Sequence, residues 1–414
     1  MKNQRILGSQ KGKFKKRTPL FCFFNKFHIK NYVALILSLF IFLSIVIFDY
    51  LVIGTKSLYN PQPNFSRVYL FRSLMIFISA LLLIVSVTRW RSTVEAQGGI
   101  KQDLKPYMTF DFGKLGSLSF CAPLLLWGTL LLSACLLLLF VLNPGFFSTL
   151  STEDHLIEML SALCLFLSCG YFIFLSLQIR QMKIKSKIFC LTVSLLFSMT
   201  FFVVGMEEVS WFQRSLTVAT PGLFSANDQG EMNLHNFATT EVEIIYYFSA
   251  FLLLILIPFV HDQTFLLSRH KHLSIFVPSC VILFVSAPLA AFNYNMWNCS
   301  TTQFSFFVTL FILVYYTYLS YKGRINRLFG RYYLSVLMIM YIMTQVVFLS
   351  GGDKFIREWD VTEYKEFLIP LSFSIYSLEI VMRRKQVISL GLVRLTFTIG
   401  LLLLLFRIFP KMNV

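Results

Sequence analysis

Long apolar runs separated by short polar or basic stretches fill the chain from about residue 31 onward. A bilayer core about 30 Å thick requires about 20 consecutive apolar residues per helix. Eleven such runs begin near Tyr32, Val68, Phe120, Ile157, Ile188, Ile244, Leu273, Phe304, Tyr332, Phe367 and Leu392. The pattern predicts an all-α, polytopic transmembrane helix bundle of about eleven spans. Residues 31–414 would form one transmembrane domain, preceded by a basic cytoplasmic tail, residues 1–30.

The basic residues indicate how this bundle is oriented. With alternating loops and a cytoplasmic N-terminus, 28 of the 37 Lys and Arg lie inside and nine outside, whereas 15 of the 20 acids lie outside. Cytoplasmic loops of membrane proteins carry an excess of Lys and Arg. We therefore expect Met1 in the cytoplasm and Val414 outside, as in a protein of the bacterial inner (plasma) membrane.

The composition indicates which kind of partner the chain contacts. The chain is 56% hydrophobic and 14% charged, with a mean hydropathy of +0.69, which leaves too little charge to cover a soluble domain of this size. Its net charge of +17 does not indicate nucleic acid, because the basic residues recur between apolar runs. The predicted partner is the lipid bilayer.

The most polar stretch lies between the fifth and sixth predicted spans and reads GMEEVSWFQRSLTVATPGLFSANDQGEMNLHNFATTEVEI. Glu207 and Glu208 end an apolar run, where a carboxylate is costly unless it is paired or faces a polar cavity. Apolar residues alternate with hydrogen-bonding groups from Glu207 to Asn236. We expect an ordered re-entrant or interfacial unit that carries an outward-facing site. The alternative is a structural plug of hydrogen-bonded Asn, Gln and Glu.

Residue chemistry suggests roles within this unit. Glu208 is the candidate general base, with Glu207 or Glu231 as alternatives, and His235 would shuttle protons or bind a metal. Arg214 would bind a phosphate or a developing negative charge, and should reach one of these acids. If the helix continues beyond Glu208, Glu207, Ser210, Trp211 and Arg214 share one face. The remaining candidates for substrate binding are Trp211, Gln213, Asn227, Asn233 and Asn236.

Two further acidic groups lie on the predicted outer side. Glu153, Asp154 and Glu158 form a secondary cluster at the start of the fourth span. Glu363 and Glu366 precede the tenth span, and we expect them to be a solvated helix start.

The identity of any metal stays open. Glu231 and His235 have the i, i+4 spacing of helical ligands, but only His155 and His235 lie outside. A carboxylate-rich site for a divalent cation such as Mg²⁺, Mn²⁺ or Ca²⁺ is therefore easier to build than a three-His zinc site.

The polar stretch also resembles a segment of an uncharacterised family of multi-pass bacterial membrane proteins. The shared pattern is E-E-x-S-W-x-Q-R, then T-P, then N-x-Q-G-E-x-N-x-H-N, which here runs from Glu207 to Asn236. The resemblance covers about a tenth of the chain and includes an acidic span entry that matches Glu153, Asp154 and Glu158. One departure is Phe212, where the pattern leads us to expect Gly. The resemblance implies a shared outer site without an activity.

Three function classes follow from this evidence. The leading hypothesis is an enzyme that acts on a lipid or lipid-linked substrate at the outer leaflet. The second is an ion-coupled transporter or channel, which intramembrane acids and a broken helix would suit. The third is a membrane scaffold or assembly protein. A weaker resemblance to polyprenyl-dependent glycosyltransferases implies a catalytic acid in the first outer loop, where Asp49 lies.

Overall fold

Every regular element in the described part of the chain is a helix, so the all-α prediction is confirmed. The computed structural model describes residues 26–54, 63–96, 118–152, 155–181, 186–213, 216–224, 227, 230–264, 272–323, 325 and 327–383. We number the helices α1 Lys26–Phe48, α2 Arg67–Ala96, α3 Leu118–Leu142, α4 Pro144–Leu150, α5 Leu156–Gln181, α6 Lys187–Glu208, α7 Thr239–Phe251, α8 Ile257–Thr264, α9 Cys280–Ser286, α10 Ser300–Tyr321, α11 Arg327–Ser350 and α12 Asp360–Met382.

Eight helices within the described residues are long and apolar enough to cross a membrane. They are Asn31–Ile53, Arg67–Trp90, Ala122–Leu142, Leu156–Gln181, Lys187–Glu208, Thr239–Thr264, Ser300–Tyr321 and Gly330–Ser350. Many of their apolar side chains are exposed, including Ile36 (63%) and Phe40 (66%). So large an exposed apolar surface suits a lipid environment and would aggregate in water. The chain has the helices of an integral membrane protein, although the count of about eleven spans is not confirmed.

Two of the remaining predicted spans lie at the C-terminal end of the chain. The run that begins near Leu392 lies outside the described residues. The run near Phe367 belongs to α12, which has 23 residues but includes ionisable side chains such as Asp360 and Glu379. Most of the α12 side chains are buried in the bundle, which is where a charged helix can lie at membrane depth.

The run near Leu273 is not the regular span that the sequence predicted. Its helix covers Cys280–Ser286 and continues as a 3-10 turn, Ala287–Ala290, so it is too short to cross a bilayer. Pro278 and Pro288 bracket this helix, because proline disfavours helical backbone before it and removes an N–H donor. We call residues 272–299 the central segment, since every side chain from 281 to 293 is buried.

Helix α12 holds the central segment at both ends. At one end, the Lys365 ammonium donates to Asn293 (2.7 Å) and the Thr362 hydroxyl donates to Asn295 (2.6 Å). Three turns further along α12, the Tyr376 hydroxyl donates to the carbonyl of Phe276 (2.6 Å). The central segment therefore runs antiparallel to α12.

Side chains at the C-terminal end of α12 also bind the central segment. The Arg383 guanidinium donates to the carbonyl of Val277 (2.7 Å), and Glu379 accepts from the backbone N–H of Ser279 (3.2 Å). Arg383 and Glu379 are also paired with each other at 2.8 Å. These side chains satisfy non-helical backbone inside the protein, the condition under which such backbone is tolerated at membrane depth.

Helices α1 and α2 form a hairpin joined by a buried ion pair. The Arg72 guanidinium donates to both oxygens of Asp49, at 2.6 and 2.8 Å, and each residue is 1% exposed. Asp49 therefore does not sit in an open outer loop as the glycosyltransferase resemblance implied. It lies in a π-helical turn, Asp49–Ile53, where its carboxylate neutralises the arginine.

Candidate functional site

We call the segment between α6 and α7, residues 209–238, the connector, and its described residues form a hydrogen-bonded unit. Helix α6 ends at Glu208, and Ser210, Trp211 and Phe212 follow with φ angles of 46°, 51° and 59°. Three consecutive left-handed residues other than Gly are costly, at about 1–2 kcal/mol each. The helix does not continue beyond Glu208, so the condition under which Glu207, Ser210, Trp211 and Arg214 would share one face is not met. The positive φ of Phe212 is a conformation that Gly adopts without strain.

Glu207 fastens the start of the connector to its end. One carboxylate oxygen accepts from the indole N–H of Trp211 (2.7 Å), and the other accepts from the backbone N–H groups of Leu234 (2.6 Å) and His235 (3.2 Å). The imidazole Nδ1 of His235 lies 3.4 Å from the same oxygen, so the expectation that His235 lies beside an acid is met. Glu207 thus holds the left-handed turn against the segment that leads into α7.

Glu231 organises the inner part of the connector. Its carboxylate accepts from the Ser210 hydroxyl and from the Asn233 amide (3.2 Å). Asn227 donates to the backbone carbonyls of Glu231 (2.6 Å) and Asn233 (3.2 Å). Residues 231–235 do not form a helical turn, so the i, i+4 ligand geometry expected of Glu231 and His235 is absent.

Gln213 links the two halves of the connector. Its amide N–H donates to the Thr220 hydroxyl (2.7 Å), which donates to the carbonyl of Gly230 (2.8 Å), and its amide oxygen accepts from the N–H of Met232 (2.7 Å). Asn236 is also buried, at 1% exposure. The structure thus brings most of the predicted connector residues together as a hydrogen-bonded unit. Arg214, Glu153 and Asp154 lie outside the described residues.

Glu208, next to Glu207, lies within reach of the charges of acids from two other helices. Its charge interacts with those of Glu366 from α12 and Glu158 from α5, and Glu363 of α12 interacts with all three. We call Glu158, Glu208, Glu363 and Glu366 the acid cluster. All four side chains are half-buried between α5, α6 and α12. The expectation that Glu363 and Glu366 form a solvated helix start is therefore wrong.

Helix α7 closes the acid cluster on its remaining side. The Tyr247 hydroxyl donates to Glu366, and Tyr246 lies within the electrostatic reach of Glu208 and Glu366. Glu243, one turn before Tyr247, interacts with Glu366 and with Lys365. His235 of the connector also acts on Glu366. Sequence reasoning missed Glu243, Tyr247 and Lys365, although intramembrane position alone is a signal for function in ionisable residues.

A narrow cleft adjoins the acid cluster behind Tyr247. It has room for about one water-sized molecule, about 10 Å³, and is lined by Ile244, Tyr247, Phe248, Phe251, Leu289, Ala290, Asn293, Thr301, Thr302, Ser305 and Lys365. Lys365 is 5% exposed, and its ammonium lies 4.4 Å from the centre of the Tyr247 ring. The cleft therefore combines a desolvated cation, hydroxyl groups and aromatic walls.

A metal ion requires several ligand side chains that point at one position. Among the residues that the structure describes, no group of three His, Cys, Asp or Glu side chains is arranged so that it could hold a metal ion. The carboxylates of the acid cluster lie within reach of one another's charge without converging on a common ligand point. This arrangement suits the exchange of protons among neighbouring carboxyl groups, since like charges at short range favour partial protonation.

Comparisons with protein-family models, with curated proteins and with solved structures found no match to this chain. The function of the site is therefore argued from its own geometry.

Proposed function

We propose that this chain is a proton-coupled membrane transporter in which the acid cluster takes up and releases protons. The observation that carries the proposal is the meeting of Glu158, Glu208, Glu363 and Glu366, contributed by three separate helices, at one half-buried position. Ionisable groups at membrane depth are expensive and mark ion or proton pathways.

The central segment supports the same reading. Its short helix is flanked by non-helical backbone at both ends, and ion sites of transporters are built at such discontinuous helices. Buried ionisable residues lie near each end: Lys365 at one, and Asp262 with Glu379 at the other. The polar groups therefore occur on both sides of the bundle, as a path from one face to the other requires.

In this proposal the connector faces the outside and the N-terminus is cytoplasmic, because the distribution of Lys and Arg favours that orientation. The eight long helices, the central segment, α12 and the run near Leu392 together give eleven crossings, which would place Val414 outside. We propose the bacterial inner membrane as the location. The kinship with the uncharacterised family that shares the connector pattern is part of the same proposal.

Liposomes with a pH-sensitive dye inside test the proton step. An acidic exterior is applied together with a panel of anionic, cationic and neutral solutes, and acidification of the interior is recorded. We expect wild type to carry protons with one solute class, and Glu208→Gln and Glu366→Gln to abolish that movement. Glu358→Gln is the matched control, since Glu358 is an exposed acid two residues before α12. Proton movement no faster than in empty liposomes for every solute would reject the proposal.

A second candidate is the enzyme acting on a lipid or lipid-linked substrate. It is favoured by the exposed apolar side chains of the connector, Leu216, Leu223, Leu234 and Phe237, which would lie at the lipid interface. Glu208 would be the general base, because the carboxylates of Glu207 and Glu231 serve hydrogen bonds within the connector. This function predicts that Glu208→Gln abolishes conversion of a lipid substrate while proton movement in liposomes is absent from wild type as well.

A further inference from the structure

Lys365 occupies an unusual position for a lysine. It lies in the second turn of α12, 5% exposed, inside a bundle of apolar helices. Its ammonium donates to the Asn293 amide oxygen at 2.7 Å and rests on the face of the Tyr247 ring. An ammonium has three N–H donors, and Asn293 accepts from one of them, while the carboxylates of Glu243 and Glu366 act on its charge without a direct hydrogen bond to it.

The groups around Lys365 define what would bind there. Thr301, Thr302 and Ser305 bring hydroxyl groups to the cleft from the first turns of α10, while Phe248 and Phe251 form an apolar wall. A ligand with a negative charge on a small polar group would complete the hydrogen bonding of the lysine. The cleft has room for about one water-sized molecule, so phosphate, with its four oxygens, is too large for it.

We infer that Lys365 anchors a binding site for a small monovalent anion, a short carboxylate or a halide, and that this anion is the solute moved with the proton. The inference rests on the proposed function, since it names the solute of that transport. The site itself is defined by the cleft and by the desolvated lysine, and its occupancy can be measured without transport.

Tyr247 provides a direct link between the anion site and the acid cluster. Its hydroxyl donates to Glu366, and its ring faces the Lys365 ammonium in the cleft. Glu366 and Glu243 flank the lysine, so their negative charges oppose the entry of an anion. Protonation of these acids removes that opposition, and the anion and proton would then bind together.

Other charged groups surround this pair. Glu363, Glu208 and Glu158 add negative charge from α12, α6 and α5, and His235 and Arg357 add positive charge at the edge of the cluster. The Cys299 thiol also faces Lys365. Among the residues that the structure describes, acids outnumber cations around this pair, so binding of an anion should weaken as the pH rises and the carboxylates ionise.

Equilibrium binding to the purified full-length protein in detergent tests the site, with formate, acetate, chloride and phosphate as probes. We expect wild type to bind at least one of the monovalent anions, more tightly at acidic than at neutral pH. Lys365→Met should weaken this binding at least about tenfold, the usual loss when a hydrogen bond to a charged group is removed. Lys322→Met is the matched control, because Lys322 is exposed and lies 5.6 Å from the Tyr318 ring, outside the cleft.

Two further variants test the site if Lys365→Met does not fold and test the pH dependence of binding. If Lys365→Met does not fold, Thr302→Val replaces a cleft hydroxyl by a methyl group and should weaken binding several-fold. Glu366→Gln should retain the anion and lose much of the pH dependence of its binding, because one of the opposing carboxylates is then uncharged at every pH. Anion binding that is unchanged in a folded Lys365→Met protein, or in Thr302→Val where that is the variant available, would overturn the site. Absence of monovalent-anion binding by wild type at both pH values would do the same.

The two proposals fail in different ways. Lysine-dependent anion binding without proton movement in liposomes would retain the site and reject the transport function. Proton movement coupled to a cation or a neutral solute, with no anion bound, would retain the function and reject the anion site.

Discussion

Glu207→Gln and Glu208→Gln should have different effects although the two residues are adjacent. The first should loosen the connector, and the second should abolish proton movement. The Glu207 carboxylate accepts three N–H groups, from Trp211, Leu234 and His235. A glutamine offers one acceptor oxygen, so its NH₂ group must face either the indole N–H or the backbone N–H groups. Glu208 faces other acids, and a neutral amide there removes a charge without leaving the connector unpaired.

The size of the Glu207 effect follows from its hydrogen bonds. Loss of a hydrogen bond to a charged group costs about 1.5–3 kcal/mol, which corresponds to an opening of the connector increased about 10- to 150-fold. Leu234 and His235 donate their amide protons to this carboxylate, so their own hydrogen exchange reports the opening directly. We expect Glu207→Gln to accelerate exchange in residues 230–238 by that factor, and Glu208→Gln to leave it unchanged.

Hydrogen exchange followed by mass spectrometry, together with the liposome proton assay, separates the two carboxylates. Glu208→Gln should lose proton movement with a normally folded connector. The reasoning would be refuted by equal exchange in Glu207→Gln and wild type, or by acceleration in Glu208→Gln. Peptides from the middle of α10 serve as the internal control, because neither substitution touches that helix.

Three other substitutions test the fold by thermal unfolding in detergent. Phe212→Gly should be more stable than Phe212→Ala by about 1 kcal/mol, because only Gly adopts the left-handed backbone without strain; equal stability would contradict the left-handed turn. Asp49→Asn should cost about 3–5 kcal/mol by leaving Arg72 buried and unpaired, and the double variant Asp49→Leu/Arg72→Met should recover most of that loss. Gly352→Ala should destabilise by about 1–3 kcal/mol, since a Cβ would collide with the Tyr294 hydroxyl and with two carbons of its ring, whereas the same substitution in a Tyr294→Ala background should cost nothing further.

Hydropathy predicted most of the membrane helices because lipid-facing and buried side chains are both apolar. The same reasoning fails for the central segment, where burial in protein replaces burial in lipid and no minimum helix length applies. Pro278 and Pro288, ten residues apart in one apolar run, were the available signal that this helix is short. For α12, hydropathy underestimates how well the helix can be buried, because contacts with other helices stabilise its charged residues.

The connector could be recognised from the sequence, but the roles of its residues could not. Adjacent glutamates at the end of α6 look equivalent in the sequence, and their difference depends on a left-handed turn that no propensity of Ser, Trp and Phe predicts. The acid cluster depends on which helices are neighbours. Glu158 and Glu366 are more than 200 positions apart in the chain, and only the packing of α5 against α12 brings them together.

The attachment of α12 to both ends of the central segment has a mechanical consequence. Lys365 and Arg383 are 18 residues apart on one helix, about 27 Å along its axis, and each holds a different end of the same buried segment. A helix is stiff along its length, so α12 acts as a rigid element that is attached to the central segment at each end. Axial sliding or tilting of α12 would open contacts at one end of the central segment and tighten them at the other in a single movement, without a relay of side chains between the two ends.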